Sequence, residues 1–280
     1  MEAALLALLG ALSWGTGDFF GGLASRRAHV LTVLVVSQAV GLLGVATWVA
    51  LSGDSPPGLG DVLPAAGAGV AGATGLAALY RGMAIGAMGI VAPISAVSPA
   101  VPLGVDLLRG DAPAALQWAG IVTALAGVVL LAREPSGGRV GRAGLAAGVS
   151  LALVAALGFG LFIVGLDAAS DGGAAWAVVV ARTSSTLVAL CAALVVSVPL
   201  RPPASLVPAI VAVGVFDTTA NVLVALATTY GSAGIVAVLS ALYPLTTIVL
   251  AWIFLSERLD RTQRAGGALA LAGAALVAVG

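Results

Sequence analysis

Apolar runs, each about as long as a bilayer crossing and cut by glycine, proline or clustered charge, fill this chain from end to end. A spanning helix takes about 20 apolar residues. On that measure spans are expected near 3–23, 30–51, 62–81, 88–108, 114–132, 143–166, 174–198, 205–227, 233–255 and 263–280. The pattern predicts an all-α integral membrane protein with ten transmembrane helices. The longest polar stretch, Arg133-Glu134-Pro135-Ser136-Gly137-Gly138-Arg139-Val140-Gly141-Arg142, falls almost at the centre. The expected organisation is a five-helix repeat over 1–133, a connecting loop over 134–142 and a second five-helix repeat over 143–280.

The two halves echo each other. Gly89-Ile90-Val91-Ala92-Pro93-Ile94-Ser95-Ala96-Val97-Ser98-Pro99 returns as Gly234-Ile235-Val236-Ala237-Val238-Leu239-Ser240-Ala241-Leu242-Tyr243-Pro244. Sliding one half over the other by about 145 residues aligns Ser95 with Ser240; one gap then aligns Asp111 with Glu257 and Ala119-Gly120 with Ala265-Gly266. The first spans match through Gly15/Gly158, Gly17/Gly160, Phe19/Phe162 and Gly22/Gly165. Five spans is an odd number, so the second repeat must cross in the opposite sense. Paired, proline-interrupted apolar segments in corresponding positions are the sequence mark of a transporter built from inverted repeats.

Composition sharpens this. With 60% hydrophobic and 9% charged residues, the chain lies far outside the ~25% charged usage of soluble domains. A net charge of zero leaves no basic surface for nucleic acid. The opening Met1-Glu2-Ala3-Ala4-Leu5 lacks a cationic leader and reads as the start of the first span. Cys191 is the single cysteine, which rules out an intrachain disulfide; it reads as a small packing residue.

Charge also orients the chain. Arg26, Arg27, Arg81, Arg133, Arg139, Arg142, Arg201, Arg258, Arg261 and Arg264 all fall on one side; the other side has Arg109 with Asp54, Asp61, Asp167 and Asp171. The positive-inside rule makes the arginine side cytoplasmic and places both termini outside, in a cell inner or plasma membrane.

Trp14-Gly15 in the first span, the Gly89-to-Pro93 opening and Leu255-Ser256-Glu257-Arg258-Leu259 followed by Gln263 and Gly266-Gly267 resemble the EamA-type transporters of the drug/metabolite transporter superfamily. The resemblance covers both halves. It departs from that pattern at Arg109-Gly110-Asp111-Ala112-Pro113, where the usual glutamate is Asp111. It implies a central cavity lined by spans 1, 3, 4, 6, 8 and 9, alternating access, and export or exchange of small metabolites of no particular class.

Ionisable groups deep in lipid are costly and face a bundle interior or a cavity. Three stand out: Asp18, Arg182 and Asp217. At ~1.5 Å per residue, Arg182 lies roughly 12 Å and Asp217 roughly 15 Å from the outer ends of consecutive spans. They could form a bidentate pair that a substrate breaks, or a permanent clamp. Asn221, one turn from Asp217, extends that polar strip or bonds a neighbouring helix. Asp18 suits proton coupling, with pairing to Arg26 or Arg27 as the alternative. Asp106 and Arg109 have the spacing of a solvated surface pair, while Gln38 meets Asp18 or bonds a neighbour.

Pro93, Pro99, Pro102 and Pro244 each remove a backbone donor, which only a cavity, water or side chain makes good inside lipid. Ser95, Pro99, Ser240 and Pro244 are therefore expected on substrate-facing walls and bend points. Trp14 and Tyr243 are aromatic candidates for the lining, Trp252 for lipid, and Trp176 and Tyr80 for interfacial anchors.

A secondary transporter exporting or exchanging an amino acid or related amphipathic solute fits this set best. The alternatives are a multidrug or cation exporter, favoured by acidic and aromatic groups without a buried arginine, and a receptor or assembly factor without transport. Arg182, if it faces the cavity, favours anionic or zwitterionic substrates. No GxxxxGK[ST], HExxH or GxSxG motif occurs, so neither ATP use, catalysis, metal nor cofactor is expected. The expected partners are a small-molecule substrate and the bilayer, with monomer and homo-oligomer both open.

Overall fold

The computed structural model describes residues 1–84, 94–131, 142–255 and 260–280. Lipid offers no hydrogen bonds to the backbone, so long apolar segments satisfy their peptide groups internally as helices. The first half holds α1 (Glu2–Ser25), α2 (Val30–Ser52), α3 (Leu59–Ala84), α4 (Ala100–Arg109) and α5 (Ala115–Leu131). The second holds α6 (Arg142–Ser170), α7 (Ala174–Val195), α8 (Val207–Thr228), α9 (Ala233–Ser240), α10 (Tyr243–Leu255) and α11 (Arg261–Val279). Among the described residues, eight helical segments are long and apolar enough to cross a membrane, and α5 adds a shorter apolar helix.

Local chemistry sets the ends. His29 accepts from the Leu31 amide and starts α2, so the lone histidine is a cap. Asp260 and Gln263 form a reciprocal capping box at the start of α11. Gly110, at φ 92°, closes α4 in the left-handed region.

The halves interlock crosswise. α5 lies against α11, α3 against α6, α1 against α8, and α2 against α7. Small residues allow the close approaches: Gly120 sits on the Gly273 carbonyl and Gly127 on the Gly266 carbonyl, so α5 and α11 run antiparallel in backbone contact. A shift of 146 carries Gly120 to Gly266 and Gly127 to Gly273, so each contact is the image of the other. The same holds elsewhere at a shift of 145. Ser13 donates to the Phe216 carbonyl while Gly158 abuts the Ala71 carbonyl. Gly15 meets the Tyr243 carbonyl while Gly160 meets the Ser98 carbonyl.

These contacts correct the expected alignment of the first spans. Gly15 corresponds to Gly160, and Gly158 to Ser13. Close approach to a neighbouring carbonyl selects a small residue at both positions; matching glycine to glycine gives a register two residues off.

Each fourth span breaks where its proline falls. In the second half α9 ends at Ser240 and α10 begins at Tyr243, beside Pro244. In the first half tight turns occupy 96–99 ahead of α4, ending on Pro99. Pro93, Glu257, Arg258 and most of the central loop lie outside the described residues.

Candidate functional site

Arg182 on α7 is the centre of a polar layer inside this apolar bundle. Its side chain is 4% exposed. One terminal nitrogen donates to Gln38 Oε1 on α2 at 2.6 Å, and the other pairs with the Asp217 carboxylate on α8. Ser185 Oγ also donates to Gln38 Oε1, at 3.0 Å. The depth match expected from the sequence is therefore realised as an ion pair, and Gln38 supplies a second acceptor.

The position of Arg182 has a further geometric meaning. α2 and α7 correspond at a shift of 144, since Gly69 rests on the Ala181 carbonyl and Gly214 on the Ser37 carbonyl. That shift makes Gln38 the counterpart of Arg182. The two bond to each other, so their hydrogen bond lies on the pseudo-two-fold axis. Only Arg182 is charged, and it turns toward Asp217. The mirror place holds Gly72, covered by the Phe162 ring. One half thus carries a polar site where the other has aromatic filling.

Asn221 accepts from Trp14 Nε1 at 2.9 Å, and the Trp14 ring meets Tyr243 edge-on at 6.4 Å. Thr247 Oγ1 donates to the Gly15 carbonyl at 3.0 Å. Asn221 therefore holds Trp14, and α1 is latched to α10 at its break. Gly17 brings α1 close to the Asp217 backbone, and Asp18 follows it.

Asp18 is exposed to a cleft of about 190 Å³ between α1 and α10, lined by Phe19, Gly22, Leu23, Arg26, Thr247, Ile248, Ala251 and Leu255. Its lining runs along the C-terminal halves of α1 and α10 as far as Arg26 and Leu255. Among the described residues no hydrogen bond or ion pair reaches the Asp18 carboxylate.

Three contacts link helices at the opposite end. Asp106 is 2% exposed and accepts from the Gly234 amide at 2.6 Å, at the start of α9. Arg109 pairs with Asp167 on α6 at 2.8 Å. Trp176 Nε1 donates to the Asp54 carbonyl at 3.3 Å, joining the 53–58 turn to α7.

Several expectations need correction. Asp106 and Arg109 do not pair; the unsatisfied amides and positive end of α9 capture Asp106 instead. Gln38 meets Arg182, not Asp18. Ser95, Pro99 and Ser240, expected on substrate-facing walls, are buried and do not line the Asp18 cleft, which leaves the substrate-facing wall itself unassigned. Arg182 is shielded by Gln38 and Asp217. Cys191, expected as a packing residue, is exposed on α7. The outward placement expected of Trp252 agrees with its 57% exposure, and the Tyr80 side chain lies outside the described residues. The sequence missed the seal made by Asp106, because a cap between distant helices leaves no local spacing signal.

Two halves of apolar helices, paired crosswise about a polar layer, define a multi-pass α-helical membrane protein of two repeats. A model of the EamA-like transporter family matches residues 1–133 and again residues 146–279, and the chain belongs to that family. A solved structure titled "Crystal structure of protein" shares the fold, with a TM-score of 0.79 at 16% identity over 99% of this chain and 97% of that one. No curated protein matches the chain.

Proposed function

We propose that this chain is a secondary-active transporter that exports or exchanges a small amphipathic metabolite by alternating access. Ten spans in two inverted five-helix repeats, meeting at the 134–142 loop, would form its framework. The antiparallel contact of α5 with α11 supports inversion, because counterpart helices related by an axis along the membrane normal would run parallel. The arginine-rich side would be cytoplasmic, with both termini outside an inner or plasma membrane.

The observation that carries this reading is the asymmetry of access. Asp18 is open to a cleft at the arginine-rich end, while Asp106, Arg109 and Trp176 tie the other end together. That is the arrangement of one limb of an alternating-access cycle, with the Trp14, Tyr243, Asn221 and Asp217 layer above the cleft floor. Breaks beside Pro99 and Pro244 supply the bends on which the repeats would rock. Asp18 is the group placed to carry a proton, because it is the acidic residue among those described lining the cleft.

Flux into proteoliposomes containing the purified chain tests the reading. Gradient-dependent movement of a small amphipathic solute, lost in Arg182→Gln and Asp217→Asn, is the expected result. Intact, inserted protein that moves no solute across a broad metabolite panel would instead favour a receptor or assembly role.

A further inference from the structure

The halves correspond residue by residue, so each contact at one end of the bundle names a pair at the other. Gly15 meets Tyr243 and Thr246 of α10, while Gly160 meets Ser98 and Val101 of α4. Both contacts fix a shift of 145. It holds to the ends of α1, α4, α6 and α10, because each of these helices runs without interruption.

That shift makes Asp167 the counterpart of Gly22, Arg109 of Phe254, and Asp106 of Ala251. One end is held by Asp106 on the Gly234 amide and by the pair of Arg109 with Asp167. The arginine-rich end has an alanine, a phenylalanine and a glycine in the same places. Ala251 has no acceptor with which to cap a helix, and Phe254 and Gly22 carry no charge. The two ends therefore cannot close by the same chemistry.

Packing differs between them as well. At the image of the Asp18 cleft, Leu103, Asp106 and Ile163 are buried. In the cleft itself Gly22 and Ala251 line the space, and a methyl on Gly22 would meet nothing within 4 Å. Phe254 is 68% exposed, and its ring centre lies 5.9 Å from that of Phe19. Phe19 precedes Gly22 by three residues, ~4.5 Å of helical rise. A bulky ring thus stands less than one turn short of an unfilled seat, whereas Arg109 at the opposite end already reaches its own partner.

We infer that the arginine-rich end closes by an aromatic gate: α10 slides along α1, the Phe254 ring leaves Phe19 and seats on Gly22, and the Asp18 cleft is covered. The gate rests on the alternating-access reading for its place in a cycle; the matching of Phe254 with Gly22 rests on the register of the halves. Unlike the Arg109–Asp167 pair, with side chains 47% and 17% exposed, this gate has no charge for salt to screen. Ionic strength therefore acts directly on one end only.

Thr247 lies in the cleft, so Thr247→Cys in a Cys191→Ala background reports access to N-ethylmaleimide in detergent. Phe254→Arg with Gly22→Asp writes the charged latch of the opposite end into this one. In about 50 mM salt the two together should slow labelling about two- to fivefold, the worth of a partly exposed ion pair. In about 1 M salt, where screening acts within ~3 Å, the rate should recover. Neither substitution alone should do this. Gly22→Leu is the converse test: it fills the seat, so labelling should stay fast even when Asp106→Ala and Arg109→Ala remove the contacts at the opposite end. Size-exclusion profiles show whether each variant is folded, and Gly22→Leu also improves helix propensity. Unchanged labelling in the folded charge-pair variant at low salt would overturn the gate. The two readings fail separately. Labelling that answers to the new charge pair but ignores removal of the opposite contacts overturns coupled access and leaves the gate. Labelling that slows when those contacts are removed, with or without Gly22→Leu, overturns the gate and leaves transport.

Discussion

Arg182 carries one charge and reaches two acceptors on two different helices, so the effect of a substitution depends on which acceptor it removes. Asp217→Asn leaves a buried guanidinium facing a neutral amide. Removing one partner of a buried pair costs about 3–5 kcal/mol, and the 37% exposure of Asp217 puts this case toward the lower end. The double variant Arg182→Gln with Asp217→Asn leaves no stranded charge. Thermal unfolding in detergent should show each single variant well below the parent and the double variant recovering most of the loss; additive losses would mean that the two residues act independently. Asn221→Ala is a gentler change, since interhelical bonds in membranes average about 0.6 kcal/mol. It should hardly move the melting point while loosening Trp14, a change that tryptophan fluorescence would report. The matching depth of Arg182 and Asp217 was legible in the sequence, because depth along two consecutive helices can be counted in residues; that they pair was not. Nor was Gln38, because counting gives depth but not the direction in which a side chain points.

Between elements, backbone proximity governs the outcome. A Cβ at Gly127 would run into the Ala270 backbone, and one at Gly273 into Ala124. Gly127→Val and Gly273→Val should each separate α5 from α11 and sharply reduce the yield of folded protein on size-exclusion chromatography. Gly67→Ala, with nothing within 4 Å of the new methyl, should be neutral or stabilising by about 0.5–1 kcal/mol, the helical preference of alanine over glycine. The helices themselves were readable from length and apolarity, to within a few residues at most ends. Their pairing was not. The aligned Ala119-Gly120 and Ala265-Gly266 showed that the fifth and tenth spans are copies, but a repeat does not say that its copies touch, still less that Gly120 touches Gly273 and Gly127 touches Gly266.

Across the molecule, the outer seal and the inner cleft should be linked. Asp106 ties α4 to α9, and Arg109 ties α4 to α6. Asp106→Ala with Arg109→Ala should weaken that end and raise the population in which the inner end closes. Thr247 lies in the cleft, so Thr247→Cys in a Cys191→Ala background gives one reporter thiol. Labelling of that thiol from the arginine-rich side should fall when the seal is removed; unchanged labelling would show that the two ends move independently. Attachment of a reporter to each terminus tests orientation, with both expected on the outer face.

Hydropathy and the echo between the halves act along the chain and need no third dimension, so a membrane protein of two repeated halves was legible from the order of residues alone. The broken fourth spans were legible too, since proline removes a donor wherever it falls. The register of the halves, the meeting of Gln38 and Arg182 on the axis, the shielding of the guanidinium and the placement of Asp18 in its cleft came only with the packed helices. Those depend on which face each helix turns to its neighbour, and a uniformly apolar helix with small residues on several sides encodes that choice only through the contacts its partners make.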